Sequence, residues 1–416
     1  MRRNTLRRDC GGGCGYQSMT RKHIPELDGV RGLACLLVIV LHVVVAPLPL
    51  FPGTWFDLAR FRIQPFMSGG VDLFFILSGF LISGALMDSK GSPGYFRAFW
   101  TRRIARIFPV YYLMIIFSIV ARAAYDVSPA PVLHALVNLS LPEGYYAIFS
   151  QNIVMALTKA SGNNILGVTW SLAIEEQFYL VFPFLVFLVP RRWLVVSAVA
   201  VVVSTPLIRA LVVANVNWQA GYLLTVARMD ALMLGVLLAA LVRHAPALAI
   251  ARRVQGPLNW LALALIIMQL SDFWGYVGEQ WRLSLGGNIT YLMLIVAQYP
   301  LINFAMACLM LNIFTREAGP LRPIFTSRIL TSIGLISYGA YMYHQVVNYA
   351  LWRWLYASNP REMTLHQAYM PVTVLLITAA ISWVSLRYFE MPIRRWITRQ
   401  SRRDAASAGA LTAKRA

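Results

Sequence analysis

IPELDGVRGLACLLVIVLHVV, residues 24–44, is the stretch whose reading decides the fold. It opens with a proline, two carboxylates and an arginine, then runs unbroken and apolar around a single histidine. Arg31 and His42 are eleven residues apart. At 3.6 residues per turn they fall on nearly the same helix face, roughly 16 Å apart along the axis. Set across a hydrocarbon layer about 30 Å thick, such a helix holds Arg31 at one surface and His42 near the midplane. An ionisable side chain at that depth is costly, so it marks either chemistry or a hydrogen bond to a neighbouring helix.

The rest of the chain repeats the pattern. Of its 416 residues 58% are hydrophobic and only 13% charged, with a mean hydropathy of +0.60. A soluble protein carries about 25% charged residues. Ten apolar runs, near 32–48, 67–87, 107–124, 171–190, 193–214, 228–242, 257–272, 289–313, 331–356 and 369–389, predict an all-α polytopic membrane protein with about ten spans. The net charge of +20 sits in short connections between these runs. That distribution excludes a nucleic-acid surface and fits membrane topology. Of the 37 Lys and Arg residues, 28 fall on the side that carries both termini and nine on the other. The positive-inside rule therefore places both termini in the cytosol.

Residues 1–23 form a basic, Gly-rich leader expected to be disordered, with Met19 as a possible alternative start. Residues 24–397 form the membrane domain, and 398–416 a basic disordered tail. No soluble catalytic domain is expected at either end. Residues 125–170 are the longest external connection, with room for a partial interfacial helix. The four cysteines predict neither a disulfide framework nor a metal site: Cys35 and Cys308 lie in apolar runs, Cys10 and Cys14 in the leader.

Several polar residues stand out against this background. The small residues of GGVDLFFILSGFLISG (Gly70, Ser78, Gly79, Ser83, Gly84) suit close helix packing, whereas Asp72 is a carboxylate that must face protein or water. In FWTRRIARIFPVYY, Arg103 and Arg106 share a helix face, which serves either plain topology or a bidentate grip on phosphate. In GVTWSLAIEEQFYLVFP, Glu175 falls in the first turns of its span, roughly 6 Å below the outer surface by helix rise. It can orient a histidine, act as a base or bind an acceptor hydroxyl. ISYGAYMYHQ puts His344 near mid-depth, and RYFEMPIRRW places Glu390 beside a basic cluster as a structural ion pair.

Taken in order, these blocks resemble the acyltransferase-3 family of integral membrane acyltransferases over residues 24 to about 397. The resemblance implies transfer of an acyl group, commonly acetyl, from cytosolic acyl-CoA to a hydroxyl of a cell-envelope or exported glycan or similar acceptor. It implies no permanently bound cofactor, no metal and no nucleic-acid partner, and residence in the bacterial cytoplasmic (inner) membrane. The family's arginine–histidine motif falls on Arg31 and His42, its paired arginines on Arg103 and Arg106, and its glutamate on Glu175. The expected roles are acyl-CoA binding for Arg31, Arg103 and Arg106, catalysis for His42 and Glu175, and support for Asp72 and His344. The competing reading is a proton-coupled transporter with His42, Asp72 and His344 as a relay. A structural subunit of an envelope complex leaves the buried ionisable residues unexplained.

Overall fold

The computed structural model describes residues 24–48, 55–137, 141–271, 287–315, 319, 321–358, 360 and 363–401. The leader and the tail beyond Ser401 lie outside the described residues. The described chain is helical, with no strand. Its long helices are α1 (Pro25–Val40), α2 (Trp55–Ser89), α3 (Tyr95–Val127), α4 (Trp170–Leu188), α5 (Arg191–Asn215), α6 (Met229–Val242), α7 (Ala245–Leu270), α8 (Gly287–Thr315), α9 (Arg328–Tyr356) and α10 (Met370–Ser385).

Each of the ten apolar runs thus lies on a helix. By length and hydropathy seven helices can each cross a membrane. The pair α6 and α7 qualifies only together, bent by 109°, which brings the total to eight. The 14 residues of α6 rise only about 21 Å, short of the hydrocarbon thickness. Helix α9 is long enough but is not among the seven; Ser337, His344 and Asn348, all buried, dilute its apolar character. Outward-facing Leu180, Leu188, Val203, Leu207, Ile267 and Leu376 present the apolar surface that a bilayer solvates. The protein is a multi-pass membrane protein.

Helix α2 lies at the centre, against α1 on one side and α6 on the other, while α9 packs between α1 and α10. Two glycines set the α2–α6 distance. A Cβ on Gly79 would lie 2.1 Å from the Leu232 carbonyl oxygen, and one on Gly235 would lie 2.1 Å from that of Ile76. The backbones touch where both helices lack side chains, as small-residue interfaces in lipid allow. Gly235→Ala must push the two helices apart, at a cost of about 1–3 kcal/mol. We expect a lower melting temperature and a broadened size-exclusion peak in detergent; an unshifted melting curve would contradict this close approach.

Two regions differ from the sequence-based expectation. Residues 141–169 are only in part a surface connection: they carry the short helices Glu143–Ala147 and Gln151–Thr158, with Ile148 and Leu157 exposed, but they also reach into the bundle. Gln151, Asn152, Asn163 and Thr169 are all buried. Tyr111 of α3 donates a hydrogen bond to the Tyr146 carbonyl at 2.7 Å, and Gln151 donates to the Thr169 carbonyl at 2.9 Å. These side chain–carbonyl bonds fasten the segment to the bundle where its backbone is buried. Among the described residues Glu390 has no ion pair, although Arg106 and Arg394 are near enough to act on it; it ends a π-helical turn (Leu386–Glu390) and accepts a hydrogen bond from Ser385 at 3.0 Å. The helix continues beyond it to Ser401, a few residues into the expected tail.

Candidate active site

Helices α1, α2, α3, α4 and α9 line a cavity that opens at one side. Arg31 of α1, Arg103 and Arg106 of α3, Ser78 of α2, Glu175 and Tyr179 of α4, and Tyr341 of α9 all line it. Arg31 is tied to Asp28 one turn earlier, at 2.7 Å. Among the described residues neither Arg103 nor Arg106 has a carboxylate within ion-pair reach. The Arg103 guanidinium lies 5.6 Å from the Tyr179 ring centre and 6.0 Å from that of Phe99, and its buried Nε has no partner. Two half-buried cations with no ion-paired carboxylate among the described residues stand beside a third on this wall, the kind of grouping that suits an anion.

Glu175 shares that wall. Its Oε2 accepts from the Tyr179 hydroxyl at 2.6 Å and from Ser78 at 3.3 Å, and the Ser78 and Tyr179 hydroxyls also contact each other. Arg103 and Arg106 are close enough to act on it electrostatically. Counting helix rise from the outer surface separated Glu175 from the arginines; the fold brings them to one cavity. The link is Tyr179, one turn after Glu175, which donates to its carboxylate and lies under the Arg103 guanidinium of α3. Ser78, expected as a packing residue, instead faces the cavity. Tyr179 was not singled out from the sequence; its spacing of four from Glu175 on a helix was the available signal.

The two histidines meet, although 302 residues separate them. His344, fully buried, places its Nε2 3.2 Å from Nδ1 of His42. His344 Nδ1 lies 2.7 Å from the Tyr341 carbonyl oxygen. These contacts assign the protons. A carbonyl can only accept, so His344 Nδ1 carries hydrogen. In the neutral ring Nε2 is then an acceptor and takes the Nδ1 hydrogen of His42. That leaves the Nε2 lone pair of His42 free to accept a proton, the tautomer a general base requires. His42 sits on a π-helical turn, Leu41–Val45, marked by the hydrogen bond from the Ala46 amide to the Leu41 carbonyl at 2.8 Å. Such turns recur at functional sites because they re-aim one side chain. Neither histidine is among the residues lining the arginine cavity; Tyr341, which is, has its ring 5.8 Å from that of His344.

Asp72 stands elsewhere. It is fully buried and meets Arg228, also fully buried, at 2.7 Å. The approach is close but not aligned as a hydrogen bond, since both carboxylate oxygens lack a donor in good geometry. Arg228 is flanked by the rings of Tyr299 at 4.4 Å and Tyr222 at 5.0 Å, and a second pair, Arg209–Asp230 at 2.7 Å, lies nearby. No hydrogen bond joins Asp72 to either histidine.

No solved structure gives a significant match to the chain. Among curated proteins it is 27% identical over 390 residues to the peptidoglycan O-acetyltransferase OatA of Listeria monocytogenes, covering 90% of this chain and 56% of that protein. It is 26% identical over 402 residues to YrhL of Bacillus subtilis, named as a candidate peptidoglycan O-acetyltransferase, covering 91% of this chain and 56% of that one. A candidate O-acetyltransferase of Staphylococcus aureus is 23% identical over 411 residues. The chain thus spans a little over half the length of these relatives. A family model described as an acyltransferase domain matches residues 24–387. With nearly its whole length matched, the chain belongs to the acyltransferase-3 family.

Proposed function

We propose that this protein is a membrane-embedded O-acyltransferase that moves an acyl group, acetyl in the first instance, from cytosolic acyl-CoA to a hydroxyl of a cell-envelope glycan. The observation that carries the reading is the pair Arg103 and Arg106, two cations without carboxylate partners on the wall of a cavity. The phosphates of CoA are the anions that such a pair suits, with Arg31 as a third contact. The excess of Lys and Arg toward both termini supports a cytosolic mouth for this cavity and an even number of crossings in the bacterial cytoplasmic membrane. The names of the relatives from Listeria and Bacillus favour a peptidoglycan-like glycan as acceptor.

In the reaction the acceptor oxygen forms a bond to the thioester carbon as its proton passes to Nε2 of His42. The carbon–sulfur bond then breaks, and the CoA thiolate leaves with that proton. His344 keeps His42 in the required tautomer, its own Nδ1 hydrogen held by the Tyr341 carbonyl, and the proton taken from the acceptor stays on His42 until the thiolate leaves with it. Glu175, already holding the Tyr179 and Ser78 hydroxyls, orders the wall it shares with the arginines and is the carboxylate candidate for acceptor contact. The transporter reading loses its carboxylate, since Asp72 is paired with Arg228.

The test uses the full chain in nanodiscs with radiolabelled acetyl-CoA. Two charge-assisted contacts are worth enough that Arg103→Ala/Arg106→Ala weakens binding about 100-fold or more. The wild-type affinity falls with added salt, and the variant's falls less. Absence of binding by the wild type to acetyl-CoA and to longer acyl-CoAs would overturn the reading.

A further inference from the structure

The arginine cavity and the histidine pair are neighbours that do not connect. Tyr341 is the residue common to both: its side chain lines the cavity, and its ring lies 5.8 Å, centre to centre, from that of His344. Phe74 of α2, also on the cavity wall, meets the Tyr341 ring edge-on at 6.1 Å. Rings at these separations are in van der Waals contact, so the two form a continuous wall. The wall is pinned from the far side. The Tyr341 hydroxyl donates to the Val168 carbonyl at 2.9 Å, which leaves it to accept from Ser171 at 2.7 Å. Ser171 is buried at the start of α4 and also lines the cavity, so the ring ties α9 to α4 at the cavity wall.

We infer that Tyr341 is a specificity-determining residue for acyl transfer: its ring, braced by Phe74 and anchored through Ser171, admits only short acyl groups from the arginine cavity to His42. This rests on the acyl-CoA reading of the cavity. A donor held by its phosphates at Arg103 and Arg106 advances its thioester end toward Tyr341. To bring the thioester carbon within reach of His42, the acyl group must pass or displace that ring. A methyl displaces little, whereas each further methylene presses on a ring already fixed by two hydrogen bonds and an aromatic contact. The cavity side offers compatible apolar walls in Phe75, Leu77 and Leu81, so a longer chain can bind there without reaching the histidines. Chain length then affects turnover more than binding.

The experiment measures kcat/KM of the full chain in nanodiscs for acetyl-, butyryl- and hexanoyl-CoA, with donor binding measured separately. One methylene in a fitted pocket is worth about 10-fold or more. Tyr341→Ala is expected to raise the hexanoyl-to-acetyl ratio at least about 10-fold. Phe74→Ala, which opens the wall from α2, is expected to raise it in the same direction. Tyr341→Phe keeps the ring and loses only the anchor, so its ratio shifts less than that of the alanine variant. Acetyl-CoA binding retained in each variant shows that the bundle has folded. A ratio within about twofold of wild type in both alanine variants would overturn the inference, as would loss of turnover with every donor while binding persists. If instead wild-type turnover survives His42→Ala, it is the acyl-transfer assignment of the histidines that fails, independently of the wall.

Discussion

His42→Ala is expected to cut acyl transfer by about 10³-fold while acetyl-CoA binding stays at the wild-type level, the loss that removal of a general base produces. Binding is expected to survive because the proposed phosphate contacts, Arg103 and Arg106 of α3 with Arg31 of α1, do not include the imidazole. His344→Ala is expected to cost less, about 10- to 100-fold, because His344 touches no reacting atom in this scheme. Without it the Nδ1 hydrogen of His42 loses its acceptor, and the two tautomers compete; only one presents a lone pair on Nε2. His344→Gln restores an acceptor and should recover part of the rate. Free CoA released from radiolabelled acetyl-CoA measures both effects. If His42→Ala keeps more than a tenth of the activity, the base lies elsewhere, and Glu175, the other ionisable candidate in this part of the bundle, is next to test. A larger loss in His344→Ala than in His42→Ala would reverse the two roles.

How much of this was legible beforehand follows from the range of the interactions. Apolar runs are local, and each of the ten lies on a helix; what they could not tell was that α6 is too short to cross alone and bends by 109° into α7. The shared face of Arg103 and Arg106 is a three-residue spacing, readable from one helix. The joining of His42 to His344 depends on α1 packing against α9, and no periodicity within either helix shows it. The position of Glu175 went astray for a definite reason. Counting rise along one helix cannot show that Tyr179, four residues after Glu175, joins its carboxylate to Arg103 of another helix. Tyr341 was invisible for another reason: a tyrosine among the tyrosines of α9 carries no distinguishing pattern until its neighbours Ser171 and Phe74, from two other helices, are in place.

Asp72 makes the same point with the largest expected effect on stability. Read alone it was a lone intramembrane carboxylate, a candidate for proton relay. In the fold its charge is met by Arg228, 156 positions later and equally buried. Removing one member strands the other where neither water nor another aligned donor can solvate it, at a cost of about 3–5 kcal/mol. Asp72→Leu is therefore expected to lower the melting temperature sharply and to leave little monodisperse protein in detergent. Arg228→Met should do the same by exposing the carboxylate. The double variant Asp72→Leu/Arg228→Met removes both charges and packs apolar side chains between Phe75, Tyr222 and Tyr299, so much of the lost stability should return. That rescue separates the two meanings of a buried acid. A carboxylate that carries protons cannot be replaced by leucine under any compensation, and the refolded double variant would then bind acetyl-CoA but turn over nothing. A carboxylate that only neutralises Arg228 leaves transfer intact once the pair is removed together. The geometry favours the second outcome, because no hydrogen bond leads from Asp72 toward His42 or His344.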